Sequence, residues 1–188
     1  MKDKYIKEEL YKKDAVTIYK MVLKGDIITR FPIGFWRKSQ SKENAAKCLR
    51  FLIEEILKYN EEELKSNYSK HIFLNNKLSG ALKYCFNDSP YKAINYIYCG
   101  KFKEWEFKNV PLNFWDDEIN RIYAIKWLIK DKLLLNDDNE LLNNLSTQSF
   151  IDNGLNGLLK NYFNGSVYEA VNAVYPNRFK KNDFKNYK

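Results

Sequence analysis

Lysine and asparagine recur at matched places in this 188-residue sequence, Lys83 with Lys160 and Asn95 with Asn172. Those residue types suit contact with nucleic acid, because an ammonium neutralises phosphate and a carboxamide can hydrogen-bond an adenine edge through two atoms. Lys92 falls on the same short helical pattern as Asn95. Ser166, like Ser89, stands just ahead of such a helix, where a hydroxyl serves either as an N-cap or as a phosphate donor. At the carboxy-terminal end Arg178, Lys180, Lys181, Lys185 and Lys188 interleave with Phe179, Phe184 and Tyr187. That mixture fits phosphate contact with base stacking, or else a solvated tail. Trp36 and Trp115, each behind a Phe and shortly after a Pro, offer stacking platforms or, alternatively, seams that pin one helical unit to the next.

Other chemistries lack the residues to carry them. His71 is the sole histidine, and no Gly-rich phosphate loop, nucleophile elbow or paired-ligand metal motif occurs. Cys48, Cys85 and Cys99 form no CxxC pair and stand among apolar residues, which predicts buried free thiols in a reducing compartment. Neither catalysis, a metal nor a cofactor is therefore expected. The charged stretch from Met1 to Glu9 has no apolar core, and no segment approaches the ~20 apolar residues of a membrane span, so a cytoplasmic protein without a membrane partner is expected. The formal net charge of +8 favours acidic partners, although richness in Lys, Asn, Ile and Tyr also resembles the output of an AT-rich bacterial or phage genome.

The elements that must position these residues come from a duplication. The segment starting at Phe73, FLNNKLSGALKYCFNDSPYKAINYIYCGKFKEWEFKN, aligns without a gap on the one starting at Phe150, with about half its positions identical. Upstream, FPIGFW from Phe31 aligns with VPLNFW from Val110. One unit accordingly covers residues 31–109 and a second 110–188, behind an amino-terminal helical segment, 1–30. The apolar period is helical throughout. Ala45, Leu49, Leu52, Ile53 and Ile56 share one stripe, as do Ile122, Ile125 and Ile129. Leu78, Ala81, Leu82, Cys85 and Phe86 repeat the pattern, matched by Leu155, Leu158, Leu159, Tyr162 and Phe163. A turn follows at Asn87 to Ser89, or Asn164 to Ser166. After it comes a short helix with Ala93, Ile94, Ile97 and Tyr98 inward, matched by Ala170, Val171, Val174 and Tyr175. No stretch alternates with a two-residue period, so the fold is predicted to be all-α, each unit holding a hairpin like a helix-turn-helix.

The run Gly-x-Leu, Phe-Asn-x-Ser-x-Tyr-x-Ala, then Trp-x-Phe and Val-Pro-x-x-Phe-Trp resembles an uncharacterised tandem-repeat domain of Firmicutes and their phages, from about Phe31 onward. The resemblance implies a fold but no activity. A fainter one, carried by Ser166, Tyr168, Ala170 and Val171, is to helix-turn-helix repeats associated with homing endonucleases. The second copy departs where Asn182 replaces Trp105. The expectation is a regulatory protein that binds nucleic acid, duplex DNA above all, with the second copy and its basic end making most of the contact. The alternative is a module that binds and modulates a protein partner.

Overall fold

The computed structural model describes residues 13–25 and 27–184; Lys185, Tyr187, Lys188 and the basic stretch from Lys2 to Lys12 lie outside them. Among the described residues every regular element is helical and none is a strand. The chain divides into two compact units between Glu104 and Trp105, a little ahead of the joint at Asn109 and Val110 read from the repeat.

Among the described residues the first unit holds the α-helices α1 (Ala15–Lys24), α2 (Ser41–Phe51), α3 (Glu61–Asn67), α4 (Lys70–Asn75), α5 (Ser79–Phe86) and α6 (Pro90–Ile97). The start of α1 is fixed by Asp14, whose carboxylate accepts the Val16 and Thr17 N–H groups at 3.0 Å each, and its end by Gly25 at φ 73°. Its Ile18, Tyr19 and Val22 are buried, as are Ala45, Cys48, Leu49 and Leu52 on and after the α2 helix that packs against it. Full burial of one large aliphatic contributes about 1.5–3 kcal/mol, so this helix pair is a principal seam of the unit. The Tyr19 hydroxyl donates to the Asn76 carbonyl at 2.9 Å, tying α1 to the end of α4.

The stripe on α2 runs out earlier than its period predicts. Residues Leu52–Leu57 wind as a π-helical turn ending at Lys58 with φ 52°. The wider turn rotates later side chains off the core face. Leu52 and Ile53 stay buried while Ile56, expected on the stripe, is 42 % exposed. Helix α3 then starts on a capping box, in which Asn60 accepts the Glu63 N–H and Glu63 accepts the Asn60 N–H.

In the α5–α6 hairpin, Asn87 and Asp88 take left-handed backbone at φ 53° and 57°, and the Ser89 hydroxyl accepts the Lys92 N–H at 3.2 Å. Leu78, Ala81, Leu82 and Phe86 bury one side of the hairpin and Ala93, Ile94 and Ile97 the other, while Tyr98 is half-buried at the rim. The cysteines do not behave alike. Cys48 is buried and its thiol is pushed up to about 12 by that burial, but Cys85 is half-buried and Cys99, just past the end of α6, is exposed.

The second unit repeats the plan with α7 (Glu118–Trp127), α8 (Asp138–Asn144), α9 (Thr147–Asp152), α10 (Asn156–Tyr162) and α11 (Val167–Val174). A π-helical turn, Leu128–Lys132, again follows the long helix, and Leu134 at φ 54° ends that bend as Lys58 does. Asn164 and Gly165 make the left-handed turn, and Ser166 accepts the Glu169 N–H at 3.2 Å. Two places differ. No α-helix of the second unit stands before its Phe-Trp turn; instead Trp105 packs on Phe114, Trp115 and Trp127 with ring centroids 5.8–6.3 Å apart. Tyr162, expected on the buried face, is 37 % exposed, because its hydroxyl turns outward to the Asp116 carboxylate.

Candidate nucleic-acid interface

The Pro-x-x-Phe-Trp turn of the first unit is built on one residue in left-handed backbone, which glycine adopts without strain. Gly34 sits at φ 78°, letting the chain reverse so that Phe35 and Trp36 both enter the core at 6 % and 7 % exposure. Phe31 joins them, its ring 5.1 Å from Phe35 and 4.5 Å from Trp36. The indole edge of Trp36 lies against Gly80, where a Cβ would stand 2.8 Å from Cδ1, so α5 approaches the indole only because residue 80 is glycine.

Above these rings opens a cavity of about 270 Å³ whose walls include Arg30, Arg37, Lys77 and Tyr84. Arg37 donates to the Tyr84 oxygen at 2.8 Å and lies 4.4 Å from the centre of that ring. The hydrogen bond and the charge of Arg37 together hold the Tyr84 phenol below its ordinary value. Arg30, Arg37 and Lys77 meet no carboxylate within 4 Å among the described residues. Further along the same surface, Lys83 lies 5.7 Å over the Tyr84 ring and Lys42 4.5 Å over Tyr96. Tyr84 and Tyr96 are 46 % and 40 % exposed, so the cations alternate with aromatic faces that solvent reaches.

The same turn in the second unit carries the opposite charge. Asn109, Asp116 and Gly154 occupy the places of Arg30, Arg37 and Lys77. Asp116 accepts from Tyr162, and Arg121 stacks 5.0 Å over Tyr162 while donating to the Trp115 and Asp116 carbonyls. This disparity is general. Residues 1–104 hold 21 Lys and Arg against 13 Asp and Glu, a net +8, whereas residues 105–188 hold 11 against 11, a net of zero. The whole cationic excess belongs to the first unit, and the expected dominance of the second unit loses its electrostatic ground.

The residues singled out from sequence fall on both units. Lys83 and Lys92 are exposed on the outer faces of α5 and α6, and Asn95 is half-buried. Lys160 is exposed on α10, in the place of Lys83. Ser166 is an N-cap, the simpler of its two readings. The side-chain Oδ1 of Asn172 accepts the Asn177 N–H at 3.0 Å, closing the carboxy-terminal end of α11. Arg178 pairs with Asp138 at 2.7 Å and covers the Tyr175 and Phe179 rings. It stands where Lys101 stands in the first unit, and Lys101 pairs with Glu61, the counterpart of Asp138, also at 2.7 Å. Arg178 is thus a clamp on α8 rather than part of a loose basic tail. Lys180 and Lys181 are exposed, and the Lys180 N–H donates to Asp183.

Arg30, Arg37, Lys77 and Tyr84 were not anticipated. They come from two separate stretches of chain, but aligning the two Phe-Trp turns and counting charge by unit would have pointed to them.

Residues 15–103, and again residues 100–180, match a family described as protein of unknown function DUF4046. No curated protein and no solved structure matches the chain. No helix among the described residues is long and apolar enough to cross a membrane.

Proposed function

For a chain that belongs to the DUF4046 family, whose function is unknown, we propose that the activity is nucleic-acid binding, made chiefly by the first unit. The observation that carries this reading is the confinement of the +8 excess to residues 1–104, on a surface where cations alternate with exposed tyrosines. Phosphates bind such cations by releasing counterions, and unpaired bases stack on such rings. A second cavity of the same unit, about 310 Å³, has Lys13, Lys38 and Lys47 together with Asp14 on its walls, a further excess of cations. The arrangement suits an unpaired stretch better than a groove. Helix α6 offers few free side chains to a groove, and its Tyr96 hydroxyl is held by Glu43 at 3.3 Å.

The test is binding of the full chain to random-sequence single strand, duplex and RNA across a salt series. Changing Lys42, Lys83 and Lys92 together to Gln should lower the logarithmic salt slope on single strand by about two, at ~0.7 per phosphate contact. The same change at Lys160, Lys180 and Lys181 should leave it nearly unchanged. Absence of salt-dependent affinity for all three polymers near physiological salt would end the reading.

One observation favours a second reading. Ile33 and Leu112, at equivalent places in the two Phe-Trp turns, are 85 % and 91 % exposed, and Leu74 and Ile151, equivalent on α4 and α9, are 61 % and 44 % exposed. Aliphatic side chains presented twice at the same place fit a protein partner. A stable complex recovered from a two-hybrid or pull-down screen and lost on Ile33→Ser or Leu112→Ser would support it.

A further inference from the structure

We infer that the cavity over Trp36 is a site for a nucleoside phosphomonoester, either a free mononucleotide or the phosphorylated end of a strand. The inference deepens the nucleic-acid reading and rests on it for the strand-end source.

Three observations converge on that chemistry. Arg30, Arg37 and Lys77 put cationic side chains on the walls of one cavity, with no carboxylate of the described residues within 4 Å of them. A guanidinium presents paired donors that match phosphate oxygens, and a dianionic terminal phosphate draws more from a cluster of three cations than a backbone monoanion does. The floor and sides, in contrast, are aromatic. Phe31 is half-buried beside Trp36, Pro32 lies next to it, and Tyr84 stands opposite with Arg37 already over its ring. A ligand that is anionic at one end and planar at the other satisfies both halves, whereas inorganic phosphate or an unsubstituted base satisfies one. The volume, about 270 Å³, lies just under the range of ligand pockets, which starts at about 300 Å³, and so admits at most one nucleotide and not a dinucleotide. The second unit supplies an internal contrast. It keeps the Phe-Trp turn yet replaces all three cations and ties Asp116 to Tyr162, so the cationic set is not a requirement of the scaffold.

The experiment is calorimetric titration of the full chain with adenosine 5′-monophosphate, adenosine and inorganic phosphate, and with a short oligonucleotide carrying either a 5′-phosphate or a 5′-hydroxyl. Saturable binding of the monophosphate, at least about tenfold tighter than adenosine or phosphate alone, is expected, as loss of charge-assisted contacts is of that order. Changing Arg30, Arg37 and Lys77 together to Gln should abolish that preference. Gly80→Ala keeps every cation but drives a methyl into the Trp36 edge, and should weaken the monophosphate several-fold while the salt slope on long single strand is unchanged. A circular dichroism spectrum like the wild type's accompanies each variant. Equal affinity for monophosphate and adenosine, or a triple variant that binds the monophosphate like wild type, overturns the inference. If the oligonucleotides bind with salt-dependent affinity but without regard to the 5′-phosphate, and the monophosphate does not bind, the inference fails and the nucleic-acid reading survives. If the monophosphate binds as expected and no polymer does, the cavity serves a free nucleotide and the nucleic-acid reading fails.

Discussion

The turn that carries Phe35 and Trp36 into the first unit and the turn that carries Phe114 and Trp115 into the second share their backbone. Each has a left-handed residue before the phenylalanine, Gly34 at φ 78° and Asn113 at φ 61°, and each closes with a hydrogen bond to a proline carbonyl, Pro32 or Pro111. What surrounds them is opposed. In the first unit Arg37 leans on Tyr84 beside a cationic cavity, and Trp36 is packed against Gly80; in the second Asp116 is held by Tyr162, and a Cβ on Gly157 would touch nothing. The outer face of the long helix diverges too. Ile119 and Tyr123 are each 60 % exposed on α7, where the first unit places Glu43 and Lys47 on α2. Backbone-determining residues repeat because the fold requires them, while the exposed positions differ, cationic around the first turn and acidic or apolar around the second.

The largest expected difference between the units is in what their tryptophans hold together. Trp36 is buried at 7 %, and Trp36→Ala should cost about 3–5 kcal/mol in urea unfolding, the usual loss for a large buried aromatic. Trp115 is only half-buried, and Trp115→Ala should cost about 1–2 kcal/mol, in proportion to the smaller apolar area it hides. Equal losses would mean that the two turns are energetically alike despite their different surroundings.

A smaller contrast separates the two asparagines. Asn172 spends its side-chain Oδ1 on the Asn177 N–H, whereas in the first unit the corresponding N–H, that of Gly100, reaches the backbone carbonyl of Asn95. Asn172→Ala should therefore lower stability by about 0.5–1.5 kcal/mol, the net worth of one hydrogen bond, and Asn95→Ala should cost less. A normal melting curve for Asn172→Ala together with loss of affinity for one preferred DNA site would restore the base-contact role that the sequence suggests.

Much of the scaffold was legible in the residues themselves. Ser89 and Ser166 announced their caps, Asn87 and Asn164 their left-handed turns, and the period of Leu78 to Phe86 its buried face. Ile56 and Tyr162 were misplaced because a strict helical period carries no sign of a π-helical turn or of a hydroxyl drawn outward by a carboxylate far along the chain. Arg178 looked like part of a basic tail because Asp138, its partner, lies 40 residues away. The cavity was hidden for the same reason: residues 30, 37, 77 and 84 converge only once α5 packs on the Phe-Trp turn.

The clamp common to both units gives the smallest effect and the one with a pH signature. Glu61 meets Lys101 at 2.7 Å and Lys65 at 2.9 Å, and hydrogen bonds to those two ammonium groups bring its carboxyl down from 4.5 to about 2. A carboxyl whose folded value is depressed stabilises the fold fully above its unfolded value and loses that contribution as pH falls toward the folded one. The window is therefore pH 4.5 down to about 2. The pair is exposed to water, with the Glu61 side chain 43 % accessible, so Glu61→Gln should cost only about 0.2–1 kcal/mol at neutral pH. That difference from wild type should shrink steadily below pH 4.5 and vanish near pH 2. Lys101→Gln should act on the same window, and the double variant should lose less than the sum of the single losses, because both remove one contact. Additive losses, or a difference that persists unchanged into acid, would show that Lys101 and Glu61 do not act as a pair, and the equivalence drawn between Lys101 and Arg178 would lose its energetic meaning.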